Sequence, residues 1–306
     1  AAPRLVTVIG SPGVGKTRLA AELVRRASEV ISFDLRVDRA GAATFEPIAD
    51  MLRMVSELPA DLDDASTVDH LSAFVGDVDD HERLVPLLAG FIGAAPMRST
   101  EESLWAARRL VELIVASQPA VIVVDDIQWA EPLFLDLLEH LVEWTEGAAF
   151  LVALARPEIR DIRPAFAEVG RRVSEVIALE GLDSETTTEL ATRILGGKAL
   201  PQEFVGRLPQ STDGNPLFIR ELVRMLVDDG VITETASGWT LAIAAEAIDV
   251  PPTIISLLAS RVERLDDDER RVVEAASVGG SEFARGAVVI LLPRLGAAQL
   301  LSLIHI

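Results

Sequence analysis

The chain has 306 residues, a formal net charge of −20 and no cysteine. The lack of cysteine excludes disulfides and thiolate metal sites, and it fits a reducing, cytoplasmic compartment. The negative charge opposes contact with phosphate backbones, so we expect no direct nucleic-acid binding. No apolar run approaches the roughly 20 residues of a membrane span, so we expect no membrane contact.

The first half of the chain alternates between strand and helix patterns. Short apolar or β-branched runs predict five strands, at Arg4–Ile9, Val30–Val37, Ala120–Val124, Ala148–Ala155 and Val173–Leu179. An apolar period of 3.6 predicts a helix after the first strand and further helices at Phe45–Glu57, His81–Ile92, Glu101–Ser117 and Pro132–Trp144. Strands separated by helices pair in parallel. We therefore expect an α/β domain over residues 1–180, with a parallel five-stranded sheet and helices on both faces.

The pattern changes after Gly181, where helical stretches follow one another. The sequence predicts helices at Ser184–Leu195, Gln202–Pro209, Pro216–Asp228, Ile254–Leu265 and Asp267–Ser277. A β-hairpin is predicted within Val231–Leu241, with its turn at Ser237 and Gly238. Two acidic clusters, Asp61–Asp64 and Asp77–Glu82, are interpreted as solvated loops.

A glycine-rich loop follows the first strand and matches the pattern G-x-x-x-x-G-K-[ST]. In such a loop, successive backbone N–H groups and the start of the next helix face one anion. Lys16 would reach the β- and γ-phosphates of a nucleotide, and the Thr17 hydroxyl would bind Mg²⁺. The alternative is a plain strand-to-helix turn. The predicted nucleotide-binding residues are Gly10, Ser11, Pro12, Gly13, Val14, Gly15, Lys16, Thr17 and Arg18.

Two further candidates stand at the ends of buried strands. Asp125 is predicted to hold Mg²⁺ together with Thr17, and Asp126 to polarise an attacking water; the alternative is an Asp pair that caps the next helix. Aspartate is one methylene shorter than glutamate, so we expect slow turnover. Arg156, before Pro157, is predicted to sense the γ-phosphate, and its alternative is a surface arginine at a proline-induced break.

These motifs, in this order, resemble the AAA+-like signal-transduction ATPases with numerous domains (STAND), and in particular the ATPase modules of large LuxR-type transcriptional regulators and of some nucleotide cyclases. The stretches that carry the resemblance are Val124–Leu141, Leu151–Glu158, Ser211–Ile232 and Val250–Gly280. The resemblance implies a P-loop NTPase domain at residues 1–180, a helical lid with a hairpin at 181–250 and the start of a winged-helix-like domain at 251–300.

The resemblance also assigns residues in the lid. It implies that Gly214 and Pro216 lie against the adenine of ATP. The alternative is an ordinary helix start, with Asn215 as N-cap and Pro216 in the first turn. Gln128 and Trp129 match the family pattern after the Asp pair, and we expect Trp129 to pack.

The implied function is that of an ATP-driven switch, with ATP and Mg²⁺ as cofactors. Its expected partners are ATP or ADP, the other domains of an intact protein and, on nucleotide binding, further copies of itself. Three alternatives stay open: a scaffold that binds ATP without hydrolysis, a P-loop kinase of a small molecule, and an origin-recognition-like DNA ATPase, which the acidity argues against.

Both ends of the chain are interpreted as cut. The chain begins without Met and lacks the Gly-Arg-Glu element that precedes the first strand in this family. The last six residues, Leu301–Ile306, resemble the translated end of a sequencing-library transposon; the alternative is a natural apolar helix end.

Overall fold

The computed structural model describes residues 2–37, 44–170, 173–198, 200–236, 238–244, 248, 250–263, 265–278 and 285–292. The chain divides into two compact units. The first, which we call the sheet unit, comprises residues 1–12 and 16–179; the second, the helical unit, comprises residues 13–15 and 180–306. Gly13 groups with the helical unit, where its carbonyl accepts a hydrogen bond from the Leu217 N–H at 3.3 Å.

The sheet unit is built on five parallel strands. They are β1 (Arg4–Ile9), β2 (Ile31–Arg36), β3 (Ala120–Asp125), β4 (Ala149–Ala155) and β5 (Val173–Ala178). The strand order is β2-β3-β4-β1-β5, and each neighbouring pair is parallel. This order confirms the predicted α/β fold. It also places β4 between β1 and β3, so that the carboxyl ends of these three strands meet at one edge of the sheet.

The apolar run of β3 is continuous because both faces of the strand are buried. Ala120, Ile122 and Val124 join the larger hydrophobic cluster on one face of the sheet. Val121 and Val123 join a smaller cluster on the other face. A strand that is covered on both sides needs an apolar side chain at every position, which alternation with polar residues would not supply.

Helices cover both faces of the sheet, as expected. The helices of the sheet unit are α1 (Lys16–Arg26), α2 (Glu46–Val55), α3 (Asp64–Val75), α4 (His81–Phe91), α5 (Thr100–Ser117), α6 (Pro132–Trp144) and α7 (Ile159–Ile162), with short 3₁₀ turns at Ile127–Trp129 and Pro164–Phe166. Helix α1 packs through Ala20 and Val24 onto the smaller cluster, whereas α2 to α6 contribute to the larger one.

The interpretation of the two acidic clusters as solvated loops is wrong in part. Asp64 begins α3, and the side chain of Asp63 caps that helix by accepting a hydrogen bond from the Ser66 N–H at 2.8 Å. In the second cluster, Asp80 pairs with Arg109 at 2.6 Å. The Arg109 guanidinium lowers the pKa of Asp80 from its ordinary value. These acidic residues therefore serve a helix start and an ion pair.

The helical unit has a larger hydrophobic cluster and a separate smaller one. Its described elements are α8 (Ser184–Ile194), α9 (Gln202–Val205), α10 (Leu208–Thr212), α11 (Pro216–Asp228), α12 (Ile254–Glu263), α13 (Asp267–Ser277) and α14 (Arg285–Leu291), with the antiparallel strands β6 (Ile232–Thr235) and β7 (Gly238–Leu241). Ile219, Leu222 and Val223 of α11 are buried in its core. The prediction of one helix at Gln202–Pro209 is wrong, because α9 ends before Gly206 and α10 begins at Leu208.

Several predictions for this half of the chain stay open. The lid at 181–250 and the winged-helix start at 251–300 stay predictions, and the described residues after 250 include α12, α13 and α14. Ser237 of the predicted turn and Leu301–Ile306 lie outside the described residues. In the portion of the chain that the structure describes, none of the helices has both the length and the apolar character needed to cross a bilayer.

Candidate functional site

The glycine-rich loop runs from the end of β1 to the start of α1. The Gly10 N–H donates to the carbonyl of Ala155 at 3.1 Å, which ties the start of the loop to the end of β4. Gly13 and Gly15 have φ angles of +79° and +112°, a region that side chains disfavour. A Cβ on Gly15 would have no described atom within 4 Å apart from its chain neighbours. The glycine therefore serves the backbone turn and faces open space.

Lys16 is the buried cation of this loop. The residue is 7% exposed, and its Nζ donates to the carbonyls of Gly10 at 2.8 Å and Ser11 at 3.2 Å. Among the described residues, no carboxylate lies within 4 Å of its ammonium. Burial lowers the pKa of Lys16 from its ordinary value, and the nearby charges of Asp125 and Asp126 oppose that shift. A buried ammonium without an ion-pair partner is a fit for an incoming anion.

Thr17 and Asp125 form the second part of the site. Asp125 ends β3 and is 5% exposed. Its Oδ2 accepts a hydrogen bond from the Thr17 hydroxyl at 2.7 Å, and its Oδ1 accepts one from the Asp126 N–H at 2.8 Å. Hydroxyl and carboxylate oxygens are ligands that Mg²⁺ takes, usually with phosphate and water oxygens as the others. The described residues hold no group of three His, Asp or Glu side chains suited to a metal, so a magnesium ion at this position would need those others.

Asp126 follows β3 in a left-handed backbone conformation, with φ +60° and ψ +37°. Aspartate tolerates this region better than most residues, and the cost is of the order of 1 kcal/mol. Its Oδ1 accepts a hydrogen bond from Nε2 of Gln128 at 2.6 Å. The same oxygen lies 3.7 Å from Nε of Arg156. The carboxylate is thus held by an amide and faces a guanidinium.

Arg156 follows β4 and meets Asp126 across the sheet edge. Its backbone N–H donates to Oε1 of Gln128 at 2.9 Å. Its guanidinium lies 5.5 Å from the centroid of the Trp129 ring, within the range of a cation–π contact. The structure thus brings together Asp126 and Arg156, two residues that the sequence places on separate strands without predicting that they pair.

The remaining candidates fall into two groups. In the loop, Ser11, Pro12 and Arg18 are exposed and Val14 is buried. In the helical unit, Gly214 has φ +63°, and a Cβ there would lie 2.1 Å from the carbonyl oxygen of Leu182.

The start of α11 also satisfies its own backbone. Oδ1 of Asn215 accepts hydrogen bonds from the Leu217 and Phe218 N–H groups at 3.0 and 3.2 Å, and Pro216 opens the helix. The features of an ordinary helix start are therefore all present, and an adenine contact by Gly214 and Pro216 stays a proposal.

Gln128 is the residue that sequence reasoning did not assign to the site. It is 4% exposed and bonds to two candidates at once. The signals in the sequence are its match to the family pattern after the Asp pair and its place two positions after Asp126. A single sequence gives no measure of burial, and the partner at Arg156 lies 28 positions away.

A five-stranded parallel sheet with a glycine-rich loop after β1 and a carboxylate at the end of β3 defines a P-loop NTPase. The chain belongs to the AAA ATPase domain family, whose model matches residues 1–154. The expected AAA+-like ATPase module is thereby confirmed. A second model, the domain of unknown function DUF8739, matches residues 183–235.

Two individual proteins resemble the chain over most of its length. An uncharacterized protein of Rhizobium meliloti (strain 1021), R02095, is 25% identical across 97% of this chain and 29% of its own length. The STAND protein with a tetratricopeptide repeat sensor from Pyrococcus horikoshii is 15% identical, with a TM-score of 0.52, across 99% of this chain and 36% of that structure. The second likeness concerns the fold. The chain spans about a third of the length of these proteins or less.

Proposed function

We propose that this chain is the ATP-binding and slowly hydrolysing switch module of a multidomain signal-transduction or transcriptional regulator. The observation that carries the proposal is Lys16, whose buried ammonium contacts only backbone carbonyls among the described residues. A cation in that position gains most from an anion with several oxygens, and the β- and γ-phosphates of a nucleotide supply them.

The neighbouring residues support a nucleotide with its metal. Thr17 and Asp125 are already joined through their oxygens at 2.7 Å, and we propose that they hold Mg²⁺. The ion, when bound, supplies positive charge to the phosphate oxygens. Gly10–Thr17 and Arg18 would surround the phosphates. Gly214 and Pro216 of the helical unit would lie against the adenine.

Hydrolysis would use the residues at the ends of β3 and β4. Asp126 would accept a proton from the attacking water while the bond between the γ-phosphorus and the bridging oxygen breaks, which yields ADP and phosphate. Arg156 would contact the γ-phosphate through its guanidinium. In the structure these two side chains face each other at 3.7 Å. Aspartate is one methylene shorter than glutamate, and this shorter reach supports a slow rate.

A switch needs partners that respond to the nucleotide. The chain spans 29% of the Rhizobium meliloti relative and 36% of the Pyrococcus horikoshii structure, which supports output through other domains of an intact protein. We propose that ATP and ADP favour different arrangements, because a ligand shifts an equilibrium only through its differential affinity. Nucleotide-dependent self-association, a cytoplasmic location and the absence of direct nucleic-acid binding by this chain complete the proposal.

Titration calorimetry with ATP, ADP and GTP in the presence of Mg²⁺ tests the nucleotide site. We expect the chain to bind ATP and ADP, and Lys16→Met to weaken ATP binding about 100-fold or more, because a charge-assisted contact to phosphate is lost. Lys198→Met is the matched control. Lys198 is the only other lysine, and it is half exposed and paired with Glu234.

The outcomes separate the proposal from its rivals. Unchanged ATP affinity in Lys16→Met contradicts the phosphate site. A phosphorylated product other than free phosphate, found after incubation with labelled ATP, indicates a kinase. Binding without any ADP after long incubation indicates a scaffold in which ATP is a structural ligand.

A further inference from the structure

Gln128 joins the ends of two strands through one buried side chain. It lies in the 3₁₀ turn Ile127–Trp129 that follows β3, and it is 4% exposed. Its Nε2 donates to Oδ1 of Asp126 at 2.6 Å, and its Oε1 accepts the Arg156 N–H at 2.9 Å. Because an N–H can only donate, the amide oxygen must face Arg156 and the NH₂ group must face Asp126.

Such an amide is costly unless both of its ends are bonded. Burying an unpaired amide destabilises the fold, whereas an apolar side chain of the same size carries no such penalty. The fold gives no evident need for the polar group, since β3 and β4 are already joined by their own parallel ladder from Ala120–Ala149 to Val124–Ala153. The two partners of Gln128 are both candidate site residues.

We propose that Gln128 is a positioning residue for hydrolysis, an inference that rests on the proposed function. The amide fixes the Asp126 carboxylate through one oxygen. In the described part of the chain, the other oxygen, Oδ2, has no hydrogen bond to protein and is available to water. The same amide accepts a hydrogen bond from the backbone N–H of Arg156. Gln128 thereby fixes the position of the Asp126 carboxylate relative to the backbone of Arg156, the proposed γ-phosphate sensor.

The residue type follows from these two contacts. Glutamate at this position could still accept the Arg156 N–H but would have no donor for Asp126, and its charge would repel the carboxylate. Methionine has a similar length and fills the volume with neither contact. Gln128→Glu therefore keeps the contact to the Arg156 N–H and loses the one to Asp126, whereas Gln128→Met loses both contacts. Comparing the two variants separates the effects of the two contacts.

Steady-state ATPase kinetics of the full chain test the role. We expect kcat to fall about tenfold or more in both Gln128→Met and Gln128→Glu, while KM for ATP and the calorimetric Kd for ATP stay within about twofold. A residue that serves only the fold would change binding and melting temperature together with kcat. Glu139→Gln is the control for such an effect, because Glu139 on α6 is buried, pairs with Arg163 and lies outside the proposed site.

A double-mutant cycle shows whether Gln128 acts through Asp126. In an Asp126→Asn background we expect Gln128→Glu, which keeps an acceptor for the Arg156 N–H, to lower the residual kcat by less than about twofold, because the carboxylate to be positioned is gone. The same loss with and without Asp126, or an unchanged kcat in both Gln128 variants, overturns the positioning role.

The failure of this inference is distinguishable from that of the proposed function. A wild-type chain that takes up no nucleotide, or that forms no ADP, overturns the hydrolytic switch and the positioning role together. A wild-type chain that binds and hydrolyses ATP, while its Gln128 variants retain kcat, overturns the positioning role alone.

Discussion

Two glycine turns, each at the start of a helix, have opposite surroundings. Gly15 precedes α1 with φ +112°, and a Cβ there would meet no described atom within 4 Å beyond its chain neighbours. Gly214 lies two residues before α11 with φ +63°, and a Cβ there would come within 2.1 Å of the Leu182 carbonyl oxygen. In the sequence, each glycine lies near a proline and a helix start. In the structure, the space beside Gly15 is open among the described residues, whereas the backbone of Leu182 fills the space beside Gly214.

The difference separates a turn that serves the fold from one that serves a ligand. At α11 the Asn215 side chain satisfies the first N–H groups, and the Leu182 N–H donates to the carbonyl of Gly214 at 2.8 Å. At α1 the Lys16 ammonium is buried with two carbonyls as its partners. The turn before α1 is a candidate site because the Lys16 ammonium has no carboxylate partner among the described residues. The presence of glycine or proline does not distinguish it from the turn before α11.

The largest expected effect is a loss of folding stability when Gly214, in the turn before α11, is replaced. Gly214→Ala should lower the free energy of unfolding by about 3 kcal/mol, because the new methyl group meets the Leu182 backbone and φ is positive. Gly15→Ala should lower it by about 1 kcal/mol, since only the backbone conformation is strained. Denaturant unfolding followed by circular dichroism measures both. Equal losses would remove the contrast between the two turns.

A smaller effect is expected on turnover at the sheet edge. Asp126→Glu should raise the single-turnover rate of ATP hydrolysis by up to about tenfold, because the longer side chain brings the carboxylate nearer to a water at the γ-phosphate. Asp126→Asn, which removes the charge and keeps the size, is the control and should lower the rate. A slower rate in Asp126→Glu contradicts the idea that the reach of Asp126 limits turnover.

The smallest expected effect concerns the stability contributed by Lys16. Burial lowers the pKa of Lys16, so below that folded-state pKa the charged ammonium disfavours folding. Without nucleotide, Lys16→Met should therefore be as stable as wild type at pH 7 or more stable by less than about 1 kcal/mol, since two hydrogen bonds are lost as the charge is removed. As the pH rises through the lowered pKa toward the ordinary value, wild type should gain stability relative to Lys16→Met.

The amino-acid composition allows the titration of Lys16 to be separated from that of other groups in a measurement of stability against pH. The chain has no Cys or Tyr, and its lysines are Lys16 and Lys198. Few other groups therefore titrate between about pH 8 and 10.5. Melting curves over this range, with Lys198→Met beside Lys16→Met, isolate the buried amine. A loss of wild-type stability relative to Lys16→Met as the pH rises contradicts a lowered pKa for Lys16.

Local patterns were sufficient for most elements. The predicted bounds Pro132–Trp144, Pro216–Asp228 and Asp267–Ser277 agree with the structure because a proline or an acidic cap marks each start. Helix α3 was missed, since only Thr67, Leu71 and Val75 are buried along its 12 residues and the apolar period is weak. Helices α9 and α10 were merged because the break at Gly206 interrupts a continuous pattern.

The sequence by itself determined the alternation of strands and helices, the glycine-rich loop and the acid at the end of β3, because each is written in neighbouring residues. Only the tertiary structure decided that Gln128 bonds Asp126 and the Arg156 backbone, and that Gly214 abuts Leu182. The physical reason is that such contacts depend on which strands are neighbours. β4 inserts between β1 and β3, and periodicity along one strand carries no information about the strand beside it.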